Sequence, residues 1–261
     1  MSFDTLDIQT DARGVTTLIL NRPEKRNALS AKMIAELTAF AEAMRDDRTT
    51  RVVVLRGAGS HFCAGGDLEW MKAQIESDRS GRMSEARKLA GMLKALNDMP
   101  KPLIGQLHGG AFGGGVGMAC ICDVVLADPD TAFGLTETRL GLIPATIGPY
   151  VAARLGEGMA RRVFMSARIF DAAEARDLGL VARVVAADAM PAAIEAEIAP
   201  YLKTAMGAVG AAKALLRKLG PPIDAAAIDT SITALADTWE TAEAAAGIAA
   251  FLDKRPAPWA G

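Results

Sequence analysis

Short runs of aliphatic residues alternate along this chain with longer stretches in which apolar residues recur every three or four positions. That is the pattern of strands followed by helices. Residues 15–20 (VTTLIL) are β-branched and aliphatic and stop at Asn21-Arg22-Pro23, so they read as a strand. Ser30 is a good N-cap, and Met33, Leu37, Phe40 and Met44 then fall on one helical face. Residues 51–56 (RVVVLR) form an apolar run of the kind buried on both faces of a parallel sheet. Residues 68–99 read as helix, broken between Ser77 and Ser84 and ended by Pro100 and Pro102. Residues 103–107 and 124–127 read as further strands, and 180–185 as a late one. Asp171 with Glu174 resembles a capping box whose helix ends at Gly179. After Asp188 the chain is Ala-rich and helical to about Lys254, with breaks expected at Gly207, Gly210 and Gly220-Pro221-Pro222. The pattern predicts an α/β core over residues 1–195 and an all-helical region over 196–261, with no repeat and no low-complexity linker.

Composition narrows the class of molecule. Hydrophobic residues make up 51% of the 261 residues, enough for a sizeable core and too many for disorder. The net charge of −2, with acids and bases intermixed, points away from nucleic acid or a membrane surface as principal partner. The long uncharged run around residues 109–122 is glycine-rich and too short to span a bilayer. The first residues lack the basic and apolar regions of a signal peptide, and the three cysteines are an odd count for a disulfide framework; a cytoplasmic location is the expectation. Cys120-x-Cys122 has no His or further Cys nearby, so both read as small buried apolar residues and no metal is expected.

The chemistry concentrates in two backbone-rich loops, 57–68 and 109–120, each following a strand. Glycine at such density costs backbone entropy, which suggests that the backbone itself is needed there. Free N–H groups at a helix start carry positive partial charge, and two loops aiming one N–H each at a single oxygen would form an oxyanion hole. Neither a G-x-x-x-x-G-K-[ST] nor a G-x-G-x-x-G pattern is present, so a nucleotide loop does not fit. Structural strand–helix turns are the competing reading.

The residues of these loops and their neighbours resemble the enoyl-CoA hydratase/isomerase (crotonase) family. The matching segments are residues 21–29 (NRPEKRNAL), 62–68 (FCAGGDL), Gly110 to Asp123, 133–137 (FGLTE) and 141–144 (GLIP), in order over nearly the whole chain. The resemblance implies a superhelix of ββα turns with a helical C-terminal region that assembles trimers or dimers of trimers. It implies an acyl-CoA thioester as substrate, no separate cofactor and no metal. By position, the N–H groups of Ala64 and Gly114 would hold the thioester oxygen, and Glu137 would transfer the proton. Arg22, Lys25 and Arg26 correspond to the segment flanking the CoA phosphates and adenine. Ala28, Ala64, Gly66, Asp67 and Leu68 would line the adenine and pantetheine side, and Phe251 and Lys254 the element reaching a neighbouring subunit's CoA.

One position departs from the pattern. Family hydratases carry two glutamates, and the place of the first is held by Gly117, with no carboxylate before Asp123, itself read as structural. Glu137 would then work alone, either returning the proton of water to the α-carbon or shuttling a proton between carbons as an isomerase. Glu69 is a second-carboxylate candidate with surface charge as the competing reading. Residues 65–71 (GGDLEWM) and 143–150 (IPATIGPY) resemble the methylglutaconyl-CoA hydratases of bacterial leucine breakdown, and the second segment departs from the usual glycine-rich continuation after Pro144. Hydration of 3-methylglutaconyl-CoA is therefore the leading expectation, with Arg79, Arg82, Arg87 and Lys88 as candidates for the cation that meets the free carboxylate and a solvated helix face as the competing reading of all four. The alternatives are a γ-carboxygeranoyl-CoA hydratase, a general enoyl-CoA hydratase, a single-glutamate isomerase, a thioester hydrolase or decarboxylase, and a non-catalytic acyl-CoA or RNA binder. His61 and His108 are the only histidines, and no G-x-S-x-G occurs, which disfavours a Ser–His–Asp hydrolase.

Overall fold

In the computed structural model, which describes residues 3–260, the chain opens with the hairpin β1 (Leu6–Thr10) and β2 (Val15–Leu20). Helix α1 (Ala31–Asp46) starts where Ser30 Oγ accepts the N–H of Met33 at 3.2 Å. Its apolar stripe, Met33, Ile34, Leu37, Phe40 and Ala41, is buried. Then come β3 (Val52–Gly57), α2 (Leu68–Glu76), α3 (Arg79–Asp98), β4 (Leu103–Leu107), β5 (Gly110–Phe112) and α4 (Gly114–Ile121). The core closes with β6 (Val124–Ala127), β7 (Ala132–Gly134), α5 (Gly148–Phe164), β8 (Ile169–Phe170), α6 (Ala172–Asp177), β9 (Arg183–Val184) and α7 (Met190–Ile198). Helices α8 (Met206–Leu219), α9 (Ala225–Trp239) and α10 (Ala242–Leu252) complete the chain.

Six strands form one sheet in the order β1-β2-β3-β4-β6-β9, parallel except for the β1–β2 pair. A smaller sheet pairs β5 with β7 in parallel and β7 with β8 antiparallel. Alternation along β3 explains why the large sheet is covered on both sides. Val53 and Leu55 pack toward α1 and α3, whereas Val52 and Val54 pack with Ile194 and Ile198 of α7. The architecture is the mixed α/β expected from the sequence, with a helical C-terminal part.

Several details differ from the sequence pattern; the break expected between Ser77 and Ser84 is confined to Ser77 and Asp78, and the helical tail is interrupted between Ile198 and Met206. Gly207 and Gly210 lie inside α8 and do not break it. A Cβ at Gly210 would stand 3.1 Å from the Cβ and carbonyl oxygen of Pro100, so that glycine permits a close approach of helix and loop. The late strand shrinks to Arg183–Val184, because the N–H groups of Leu180 and Val181 turn back to Ala175 O. The last helix ends at Leu252. Asp123 is structural: its Oδ2 accepts Leu103 N–H at 2.7 Å and pairs with Lys213 Nζ at 2.6 Å, tying α8 to the sheet.

Candidate active site

Three segments lie side by side at one end of the sheet. Leu29 N–H donates to Gly65 O at 2.8 Å and Asp67 N–H to Leu29 O at 3.1 Å, while Cys63 N–H donates to Gly110 O and Phe112 N–H to Cys63 O, both at 3.0 Å. Buried Asn27 fastens the same segments: its amide nitrogen donates to Ala58 O and His61 O, both at 2.8 Å, and its oxygen accepts Arg22 N–H. Both glycine-rich loops are thereby held against one another, and α4 starts at their junction.

The hydrogen bonds decide which N–H groups face open space. Ala64 N–H donates to Arg26 O at 3.0 Å, so it is not available to a ligand and the expectation for Ala64 as an oxyanion donor is corrected. In the parallel bridge with Leu29, the ladder uses Gly65 O and Asp67 N–H and leaves Gly66 N–H without an acceptor among the described residues. Gly114 is the first residue of α4, and its N–H is likewise without an acceptor among the described residues. The first-loop N–H left open to a ligand is therefore that of Gly66, two positions beyond Ala64. Preceding it, Gly65 sits at φ +96°, and Gly113 before α4 at φ +47°, conformations in which a side chain would be strained.

Glu137 opens a 3-10 turn, Glu137–Leu140, directly after β7. Its carboxyl lies against Gly113: a Cβ there would stand 3.0 Å from Glu137 Oε1. Oε2 is shielded from solvent with no hydrogen-bond partner among the described residues. Burial pushes the carboxyl up to about 7, with its own backbone N–H pulling weakly the other way. Glu137, Gly66 and Gly114 line one cleft of about 930 Å³ that runs between α2, α3, the Leu142–Ile147 segment and α9. An acid with one oxygen shielded, poised near neutrality in the same cleft as two N–H groups with no acceptor among the described residues, can move a proton while a developing oxyanion is held.

Known proteins resemble this chain over nearly its whole length. The family model for enoyl-CoA hydratase/isomerase matches residues 10–261. The chain belongs to the enoyl-CoA hydratase/isomerase family. The crystal structure of an enoyl-CoA hydratase from Shewanella pealeana superposes with a TM-score of 0.80 at 32% identity, over 98% of this chain and 96% of that one. AtuE of Pseudomonas aeruginosa has the same TM-score at 38% identity, over 99% of this chain and 100% of its own. A 180-residue stretch is 31% identical to the mitochondrial methylglutaconyl-CoA hydratase of Mus musculus, covering 68% of this chain and 56% of the mouse protein.

As a member of the enoyl-CoA hydratase/isomerase family, the chain places its other expected site residues as follows. Lys25 and Arg26 stand exposed at the rim of the cleft, Ala28 and Leu68 on its wall, and Phe251 of α10 reaches it from the far side. Lys254 is exposed, is outside the cleft wall and sits at φ +53°. Arg22 is also off the wall. Its guanidinium pairs with Asp67 at 2.9 Å and donates to Ala28 O at 2.7 Å, with 16% of its side chain exposed. Asp67 in turn caps α2 by accepting the N–H groups of Glu69 and Trp70. Burial raises the Asp67 carboxyl, but the Arg22 bond and the α2 N–H groups outweigh this and hold it below the usual carboxylate range. Ala64, Gly66 and Asp67 line the cleft as expected, and the Arg22–Asp67 pair ties the loop that presents Gly66 to the Arg22–Ala28 segment; the sequence motif carried no signal for that tie.

Glu69 is largely exposed at the rim of the same cleft, its carboxylate 3.8 Å from Lys25. Of the four cations proposed for a substrate carboxylate, only Arg82 lines the cleft. Arg79 pairs with Asp237 and Glu240, Arg87 with Asp229 and Lys88 with Glu85. Arg82 donates to the carbonyls of Gln74 and Ile75 at the end of α2 and stacks over Trp239 at 5.0 Å, with no carboxylate partner among the described residues. The three cysteines are free and buried, each thiol pushed by burial up to about 12, and no group of metal-ligating side chains occurs among the described residues. No helix among the described residues is long and apolar enough to cross a membrane.

Proposed function

We propose that this protein hydrates an α,β-unsaturated acyl-CoA with Glu137 as its single proton-transfer group, and that the acyl chain carries a carboxylate, as in 3-methylglutaconyl-CoA. The observation that carries the reading is the Glu137 carboxyl, whose Oε2 has no partner among the described residues, in one cleft with the N–H groups of Gly66 and Gly114, which have no acceptor among them. The thioester oxygen accepts from the two glycines, Lys25 and Arg26 meet the CoA phosphates at the rim, and the enoyl chain runs inward. Ionised Glu137 takes a proton from water as the water oxygen bonds to the β-carbon. The electron pair of the double bond moves toward the thioester and forms an enolate, whose oxygen the N–H pair stabilises. Glu137 then returns the proton to the α-carbon, and one water has been added. Removing one such donor costs on the order of 3 kcal/mol of transition-state stabilisation. Arg82 supports the carboxylated substrate: it is a half-buried cation on the cleft wall with no ion pair among the described residues, Asp78 acting on it only at longer range. The family's trimeric assembly is carried with this reading.

The same lone acid would serve an isomerase, so the product decides. Purified protein is incubated with 3-methylglutaconyl-CoA and with crotonyl-CoA, following the conjugated thioester absorbance and the product mass. Gain of one water by the first ester, and little by the second, is expected. A shifted double bond without mass change would replace hydration by isomerisation. Equal turnover of both esters, with Arg82→Met unchanged, would remove the carboxylate from the substrate.

A further inference from the structure

Gly117 of α4 and Ile147, which precedes α5, compete for one volume. A Cβ built at Gly117 would lie 2.4 Å from Ile147 Cγ2, 3.0 Å from its Cβ and 3.7 Å from Leu93 Cδ1. Rotating the Ile147 side chain can move its Cγ2 but not its Cβ, and a β-branched residue has few rotamers to offer. A side chain at Gly117 therefore requires Ile147 to change rotamer and its backbone to give by a few tenths of an ångström, so the two positions compete for the space. In this chain Ile147 fills it, and is 3% exposed yet forms part of the cleft wall with Leu89, Ile143, Pro144 and Ala145. Its backbone is fixed as well, because Ile147 O accepts the N–H groups of Tyr150 and Val151, both at 3.0 Å.

We propose that Ile147 and Gly117 form a size pair that sets substrate choice, with the Ile147 methyls packing on the substituent at the β-carbon of the enoyl chain. This rests on the hydratase reading above and adds the class of chain accepted: β-branched enoyl groups over linear ones. Apart from Thr146, that wall offers no polar side chain, so a β-methyl group placed there leaves water for apolar contact, whereas a β-hydrogen leaves the contact unmade. One methyl in a fitted apolar pocket discriminates by about tenfold.

The test pairs esters that share the carboxylate and differ by the β-methyl. Binding of the unreactive 3-methylglutaryl-CoA and glutaryl-CoA is measured by calorimetry, and turnover of 3-methylglutaconyl-CoA and glutaconyl-CoA by absorbance, for the parent, Ile147→Val and Ile147→Ala. The parent should favour the methylated ester about tenfold in both assays. Ile147→Val, which keeps the packing around α5, should lower the ratio, and Ile147→Ala should bring it close to one, chiefly through weaker binding of the methylated ester. A ratio that Ile147→Val and Ile147→Ala leave unchanged would overturn the proposal. Turnover of neither ester, with the binding ratio still tracking residue 147, would overturn the hydratase reading alone. The volume argument has its own check. Gly117→Glu should lower the melting temperature sharply, and adding Ile147→Gly should restore most of it; a fully stable single Gly117→Glu variant would sink the size pair.

Discussion

At the scale of single residues, the site depends on one carboxyl and two backbone N–H groups, and each can be tested separately. Glu137→Gln keeps the shape of the side chain and removes its base, so kcat should fall by about 10²–10⁴-fold with acyl-CoA binding largely retained. In the parent, kcat/KM should decline as pH drops through about 7, where Glu137 gains its proton. Stability moves the opposite way. The folded carboxyl titrates near 7 against an ordinary 4.5, so its protonated form is the one the fold prefers. That contribution is complete below the ordinary carboxylate value and is lost as pH rises through 7, amounting to roughly 3 kcal/mol at alkaline pH. Thermal melts of parent and Glu137→Gln should therefore converge near pH 4, draw apart between about pH 4.5 and 7 and keep that gap above it, with the variant the more stable; a gap unchanged from pH 4 to 8 would mean that Glu137 is not shielded in solution. The donor assignment makes a different demand. A Cβ at Gly66 would meet only ordinary contacts, 3.6 Å from Trp70 and Met71, so Gly66→Ala should remain active. Gly66→Pro deletes the N–H and should cost about 10²–10³-fold in kcat with the circular dichroism spectrum intact. Equal activity of the two variants would return the oxyanion role to another residue.

At the scale of elements, α10 governs the turn that carries Glu137. The helix packs on the Glu137–Leu140 turn so closely that a Cβ at Gly247 would stand 2.6 Å from the carbonyl carbon and oxygen of Leu140. The reverse face is as tight, since a Cβ at Gly141 would lie 2.6 Å from the Glu243 carbonyl carbon. By helix propensity alone, Gly247→Ala would stabilise α10 by about 1 kcal/mol. The contact reverses that gain and pushes the turn away from Gly113. The expected outcome is a loss of kcat of about tenfold or more with only a small change in melting temperature, read by steady-state kinetics beside a thermal melt. Displacement on this scale is costly because catalytic geometry tolerates little. Such a glycine was visible in the sequence, but its partner 107 residues earlier was not. The same holds across the fold. Strands β2, β3 and β4 and helix α1 were legible because period and capping are local, as Ser30 shows. The persistence of α8 through Gly210, the size pair at Gly117 and Ile147, and the choice of Gly66 over Ala64 were not, because each depends on where a distant backbone passes or on which way one N–H points.

At the scale of the molecule, α8 stands apart by the apolar surface it exposes. It has no buried apolar residue, and Leu215, Leu216 and Leu219 are 56%, 70% and 74% exposed along its outer face. On the inner side the helix is held by polar contacts instead: Lys213 reaches Lys101 O at 2.8 Å as well as Asp123, and Arg217 lies 3.9 Å from Asp123 Oδ1. Burial lowers the tendency of Lys213 to hold its proton, and Asp123 works against this by keeping a counter-charge beside it. An anchored helix presenting three adjacent leucines to water is the profile of an association surface. The expected partner is a second copy of this chain, in line with the trimeric assembly carried by the family reading. Sedimentation at micromolar concentration should give a trimer or a dimer of trimers. Leu216→Glu with Leu219→Glu would place two carboxylates in that contact, at a desolvation cost that apolar packing does not offset. The double variant should sediment as a smaller species, while its circular dichroism spectrum stays that of the parent, because neither leucine packs in the protomer core. An unchanged sedimentation coefficient would show that α8 is not where copies of this chain meet.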